Sequence, residues 1–195
     1  MAKLAAHNVR TILDYSAEGQ TAESDLDATC SEVLATIQAA DVDARQAFAV
    51  FKVSGLSSNA LLEKVGKAMA GGAALNQEDE AAWERVQRRV RTLCEATAAA
   101  GGRVMIDAEE SWIQEAIDAL AEDMMSDYNR ERVVVYNTVQ MYRHDRLAYL
   151  AAMAARAEEG GYLCGVKVVR GAYMEKERAR AAQQLSLIHI SEPTR

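Results

Sequence analysis

The sequence predicts an α/β fold whose parallel sheet comprises the first five strands of a (β/α)8 TIM barrel. Short β-rich runs alternate with longer amphipathic stretches, the signature of right-handed βαβ units. Glycine pairs stand where a helix should yield to the next strand, suited to a left-handed terminating residue. The β-rich runs also end in, or run into, charged or amide side chains, which buried parallel strands tolerate best at their ends. With 195 residues, half of them hydrophobic, the chain can bury one sizeable core but is shorter than the roughly 250 residues of a complete barrel.

In chain order, the first run is Val9 to Leu13, leading into Asp14. The second, Ala47 to Val53, is apolar except for Lys52. The gap that follows has room for two helices, Asn59 to Ala70 and Gln77 to Ala100, separated by the breaker Gly71-Gly72. On the second of these, Trp83, Val86, Val90, Leu93 and Thr97 form a stripe at helical spacing, a face for the core. Gly101-Gly102 then precedes the third run, Val104 to Ile106, which meets Asp107. Ile113, Ile117, Leu120 and Met124 form the next helical stripe. The fourth run, Val133 to Tyr136, heads toward Gln140, and after Gly160-Gly161 comes the fifth, Val166 to Val169, which carries Lys167 and meets Arg170.

Arg178 to Gln184 begins a polar helix, and the character then changes abruptly. Ser186 to Arg195 resembles a translated sequencing-adapter read-through and contains the single proline of the chain. Residues 1–184 are therefore expected to form the N-terminal part of the barrel and residues 185–195 a non-native tail, with a native strand over Leu185 to Ile190 as the competing reading.

A formal net charge of -7 without a clustered basic run argues against nucleic acid, whose phosphates require a positive face. Cys30, Cys94 and Cys164 are scattered, and neither they nor His7, His144 and His189 show the spacing of a metal site. Free thiols, the absence of a long apolar run and the lack of a signal-peptide core together predict a cytoplasmic protein.

Candidate functional residues follow from the strand ends. Asp14, Lys52, Asp107, Lys167 and Arg170 would gather at one mouth of a barrel, where mutual pairing removes the cost of burying them singly, and Gln140 adds an amide. The Lys52 ammonium must find a carboxylate or an anionic ligand there. Glu109 and Glu110, adjacent and at the start of a helix, read as caps or rim ion-pair partners rather than as an acid/base pair. Gly171 and Ala172 permit close approach of a ligand to the backbone.

Three segments, Val104-Met105-Ile106-Asp107-Ala108-Glu109-Glu110-Ser111, Val135-Tyr136-Asn137-Thr138-Val139-Gln140-Met141-Tyr142 and Gly165-Val166-Lys167-Val168-Val169-Arg170-Gly171-Ala172-Tyr173-Met174-Glu175, resemble the FAD-dependent proline dehydrogenase family in order and spacing. The resemblance covers about residues 8 to 183. It implies oxidation of L-proline to 1-pyrroline-5-carboxylate in proline catabolism, with noncovalent FAD at the C-terminal rim and a membrane quinone as electron acceptor. Peripheral association of the intact enzyme with the inner membrane is implied as well. Residue by residue, it implies that Lys52 lies near the substrate carboxylate, that Asp107 organises the pocket, and that Tyr173 packs beside flavin and substrate. Gln140, Lys167, Val169, Arg170, Gly171 and Ala172 match positions against the flavin. Glu18 matches an acidic gate residue that pairs with a late arginine. That arginine, the Tyr-x-x-Arg-Arg substrate clamp and the last three strands are not among these residues, so the chain alone is expected to be inactive. Two other classes remain open at this point: a different barrel enzyme, such as a Schiff-base lyase using Lys52, and a non-catalytic truncated product.

Overall fold

Pairing in the sheet follows the order of the chain. The computed structural model describes residues 2–14, 19–42, 46–187, 189 and 190. Its strands are β1 (Thr11–Asp14), β2 (Gln46–Phe51), β3 (Val104–Ile106), β4 (Val135–Gln140) and β5 (Val166–Val169), hydrogen-bonded in parallel as β1-β2-β3-β4-β5. The result is the expected α/β half-barrel, a curled sheet with helices packed against it.

The helices are α1 (Ala2–Ala5), α2 (Glu23–Val42), α3 (Asn59–Met69), α4 (Gln77–Ala99), α5 (Ser111–Tyr128), α6 (Arg146–Gly160) and α7 (Met174–Gln184). Ser58 Oγ accepts the Leu61 N–H at the start of α3, and Asn76 Oδ1 accepts the Asp79 N–H at the start of α4. Both predicted stripes are buried: Trp83, Val86, Val90, Leu93 and Thr97 on α4, and Ile113, Ile117, Leu120 and Met124 on α5. They meet Phe51, Val104, Ile106 and Val135 of the sheet in one continuous core. Gly161, at φ +65, ends α6 in the left-handed conformation expected of it.

Three strands differ from expectation in their boundaries. Val9 and Arg10 lie outside β1, because the Val9 N–H turns back to Leu4 O at 3.0 Å and closes the α1 turn. β2 stops at Phe51 because Lys52 O accepts the Gly55 N–H, folding Val53–Gly55 into a 3-10 turn. β4 begins at Val135 and runs to Gln140, so Gln140 is its last residue rather than a residue beyond it. The β-rich Val133-Val134 pair is displaced because Asn129, at the end of α5, takes the N–H groups of Val134 and Val135 with its side-chain oxygen. In the segment expected to be a tail, Ile190 is buried and forms an isolated antiparallel bridge with Arg143.

Candidate functional site

Alternation along β4 sorts its side chains: Thr138 and Gln140 share one face, Asn137 and Val139 the other. Parallel register sets Thr138 beside Lys167 and Gln140 beside Val169. Thr138, Gln140, Lys167 and Val169 line a cavity of about 340 Å³ together with Asp107, Ala108, Arg170, Gly171 and Ala172. These residues come from the C-terminal ends of β3, β4 and β5, the position at which α/β barrels present chemistry. Its size lies at the lower end of the roughly 300–1,000 Å³ typical of small-molecule sites.

Lys167 and Asp107 form a close ion pair in this cavity, with side chains 27% and 20% exposed. Gln140 is held at both ends of its amide: Nε2 donates to Glu109 O at 2.7 Å and Oε1 accepts the Ala172 N–H at 3.3 Å. Lys52 stands at the neighbouring strand end, since the Asp107 N–H donates to Phe51 O at 3.0 Å. It is half-buried, and its charge acts on Glu109. Tyr173 caps α7, gives its N–H to Tyr142 Oη at 3.3 Å, and carries Lys176 Nζ 5.1 Å from its ring centre.

The structure thus brings Asp107, Gln140, Lys167, Val169, Arg170, Gly171 and Ala172 into one cavity, whereas Lys52, at the end of the neighbouring strand, and Tyr173, next to Ala172, do not line it. Glu18 lies outside the described residues, as does the side chain of Asp14. Of the two roles expected for the adjacent glutamates, Glu110 takes that of ion-pair partner: it occupies the N-cap of α5 without a side-chain cap bond and pairs with Lys176, whereas Glu109 takes neither and turns inward to Ser54. At Gly171 the Tyr142 ring comes close enough that an added Cβ would meet it at 2.2 Å, and the φ of +137 also disfavours a side chain.

Three contributors escaped the sequence reading. Thr138 was legible in principle, being two residues before Gln140 and so on the same strand face. Tyr142 was not, because its contact with Gly171 depends on the loops after β4 and β5 meeting. Glu109 is 2% exposed. Burial pushes its carboxyl up to about 7, against the opposing pull of the Ser54 hydrogen bonds and Lys52.

The cavity leaves polar groups available to a ligand. Thr138 Oγ1 is buried without a hydrogen-bond partner, Gln140 Nε2 has a second N–H beyond the one given to Glu109, and Arg170 is exposed at the rim. Among the described residues no cluster of His, Cys, Asp and Glu could hold a metal, and no helix is long and apolar enough to cross a membrane.

A protein-family model described as proline dehydrogenase matches residues 1–190. The carbapenem antibiotics biosynthesis protein CarD of Pectobacterium carotovorum subsp. carotovorum is 35% identical over 175 residues, 90% of this chain and 46% of that protein. Mitochondrial proline dehydrogenase 1 of Homo sapiens is 36% identical over 107 residues, 55% of this chain and 18% of the relative. The chain therefore spans less than half the length of these curated relatives. Proline utilization A from Bdellovibrio bacteriovorus, in a structure inactivated by N-propargylglycine, superposes with a TM-score of 0.79 at 15% identity, covering 96% of this chain and 20% of the other.

Proposed function

The chain belongs to the proline dehydrogenase family, and from that premise we propose that its residues form the first five barrel strands of an enzyme oxidising L-proline to 1-pyrroline-5-carboxylate. The observation that carries this reading is the single cavity in which Asp107, Gln140 and Lys167 meet Val169, Arg170, Gly171 and Ala172. FAD would be held there by Gln140, Lys167, Val169, Arg170, Gly171 and Ala172, and its ring system would supply the redox chemistry as acceptor of the hydride equivalent removed from proline. Lys167, held in place by Asp107, contributes positive charge where negative charge develops on that ring system. Gln140, fixed by Glu109 and Ala172, offers its remaining N–H in a set direction and loses little entropy in doing so. Lys52 meets the proline carboxylate, Tyr173 packs beside the substrate, and Glu18 gates the pocket. Electrons leave to a membrane quinone, from a cytoplasmic enzyme peripheral to the inner membrane.

One comparison favours a second reading: the match over 175 residues to a carbapenem biosynthesis protein. In that case the same oxidation would serve a biosynthetic route. Flavin titration tests the oxidation common to both readings. Residues 1–184 alone are proposed to hold FAD weakly and to lack turnover, since β1 and β5 are sheet edges and the substrate clamp is not among them. In a chain carrying the complete barrel, added proline should bleach stoichiometrically bound flavin and release the imine. Absence of bleaching, or borohydride trapping of a carbonyl substrate on Lys52, would replace this reading with a lyase.

A further inference from the structure

Glu109 joins two residues of the candidate site without lining the cavity. Its carboxylate accepts the Ser54 N–H at 3.0 Å and also the Ser54 hydroxyl, two positions beyond Lys52. Its carbonyl accepts Gln140 Nε2 at 2.7 Å, and its N–H donates to Gln114 Oε1 at 2.8 Å. One residue thereby ties together the corner after β2, the loop after β3, the end of β4 and the second turn of α5. A buried carboxylate is a costly way to do purely structural work, because a neutral side chain of the same shape avoids its desolvation.

We propose that Glu109 is a positioning residue of the rim, setting Lys52 and Gln140 relative to one another through its side chain on one side and its main chain on the other. Its catalytic meaning rests on the flavoenzyme reading above, whereas the coupling is a property of the fold. Ionised Glu109 receives both donors of Ser54. Once protonated, one carboxyl oxygen becomes a donor, the Ser54 hydroxyl must turn to accept it, and the negative charge facing Lys52 disappears. The charges acting on Glu109 are Lys52 at the β2 corner and Glu110 beside it, and Glu110 is itself paired with Lys176 of α7. From α5 and β4 it meets the neutral amides of Gln114 and Gln140. Burial raises the Glu109 carboxyl to about 7, so this change of charge falls in the neutral range.

Amide exchange of the full chain, followed by mass spectrometry over segments 48–58 and 135–142, tests the coupling. Glu109→Ala should lower protection in both segments together, by about tenfold, because the Ser54 N–H and hydroxyl lose their acceptor and the shared anchor is gone. Glu109→Gln should retain protection, since its amide can accept the Ser54 N–H and donate to Ser54 Oγ. It should also abolish the difference in protection factor between about pH 6 and about pH 8 shown by the unmodified chain. Ser54→Ala, a milder change, should loosen 135–142 although Ser54 has no hydrogen bond to that segment. Loosening of one segment only, or an unaffected 135–142 in Ser54→Ala, overturns the proposal, and the Ser54→Ala result decides if Glu109→Ala unfolds throughout. A pH difference that survives in Glu109→Gln overturns the proton linkage. Proline-dependent bleaching is scored separately in the complete-barrel enzyme: coupled segments without bleaching count against the flavoenzyme reading and leave the positioning role intact.

Discussion

On the outward face of β4, Asn137 Nδ2 donates to Asp118 Oδ1 and Tyr149 Oη, both at 2.9 Å, and Arg146 closes on Asp118 at 2.6 Å with the two side chains 5% and 6% exposed. Tyr149 Oη donates a hydrogen bond to Glu122 at 3.0 Å, and Arg146 stacks over the Tyr149 ring at 4.5 Å. On the inward face of the same strand, Thr138 Oγ1 has no partner among the described residues, Gln140 keeps an N–H in reserve, and Lys167, next to Thr138 in register, pairs among them with Asp107. The outward network pairs its charges with one another, as a buried set must to offset desolvation, although Asn137 Oδ1 has no partner among the described residues. The inward set leaves valences directed at a cavity, which is how a binding surface differs from a core.

The largest effect expected from this contrast lies outside the site. Arg146→Ala should cost about 3–5 kcal/mol in urea unfolding, since it strands the buried Asp118 carboxylate, and Asp118→Ala should cost less because Arg146 keeps its pair with Asp145. Replacing both together by apolar residues should recover much of the loss. An Arg146→Ala variant within about 1 kcal/mol of the parent would mean that water reaches this network, and the distinction between the two faces would fail.

Inward substitutions should show the reverse balance. In an enzyme carrying the complete barrel, Asp107→Ala or Lys52→Ala should lower proline turnover about 100-fold or more, the usual result of removing an electrostatic partner at a reacting centre. The stability cost of Asp107→Ala should stay below about 1 kcal/mol, because the pair it breaks is partly exposed. Unchanged turnover in either variant would remove that residue from the site.

Acid and base should act on the two sides with opposite sign. Burial raises Asp145, but hydrogen bonds from Arg146 and Arg143 outweigh it and hold the carboxyl well below its usual range. Stability from Asp145 is therefore present above the unfolded value of about 3.8 and lost as pH falls below it. Glu109 is raised, so its favourable contribution is present below the unfolded value of about 4.5 and lost as pH rises toward about 7. Thermal unfolding between these two values should show Glu109→Gln flattening the slope and Asp145→Asn leaving it, with Asp145→Asn acting only on the acid limb. The same slope in both variants would contradict the assignment of these environments.

How much of this was legible depended on whether the cause was local. The α4 and α5 stripes and the five-strand order follow from burial periodicity and chain alternation, so they could be read from Trp83 to Thr97 and Ile113 to Met124 directly. The start of β4 could not, because Asn129 captures the amides of Val134 and Val135 and moves pairing downstream. Asp107, Gln140 and Lys167 were visible as polar groups closing apolar runs. The burial of Glu109 was hidden because its hydrogen-bonding partner is remote in sequence: only the 3-10 turn at Val53–Gly55 brings Ser54 within its reach, while Glu110, also buried, pairs with Lys176.

The smallest effect is expected at Val168, and it sharpens the comparison because Val168 and Val139 are partners in register on the outward faces of adjacent strands. Val139 is 1% exposed and Val168 62% exposed. Val→Thr preserves shape and β-branching at both positions, so propensity cancels and the added hydroxyl reports burial. Val139→Thr should cost about 1–3 kcal/mol, the penalty of burying a hydroxyl without a partner. Val168→Thr should stay within about 0.5 kcal/mol, as is usual for an exposed site. Among the described strands β5 pairs with β4 alone, so it presents an open edge on which a second chain could pair. Both variants are therefore best measured by urea unfolding across a dilution series. Should Val168→Thr become costly as concentration rises, the edge is covered by association in solution, and the outward face of β5 joins that of β4 as buried surface.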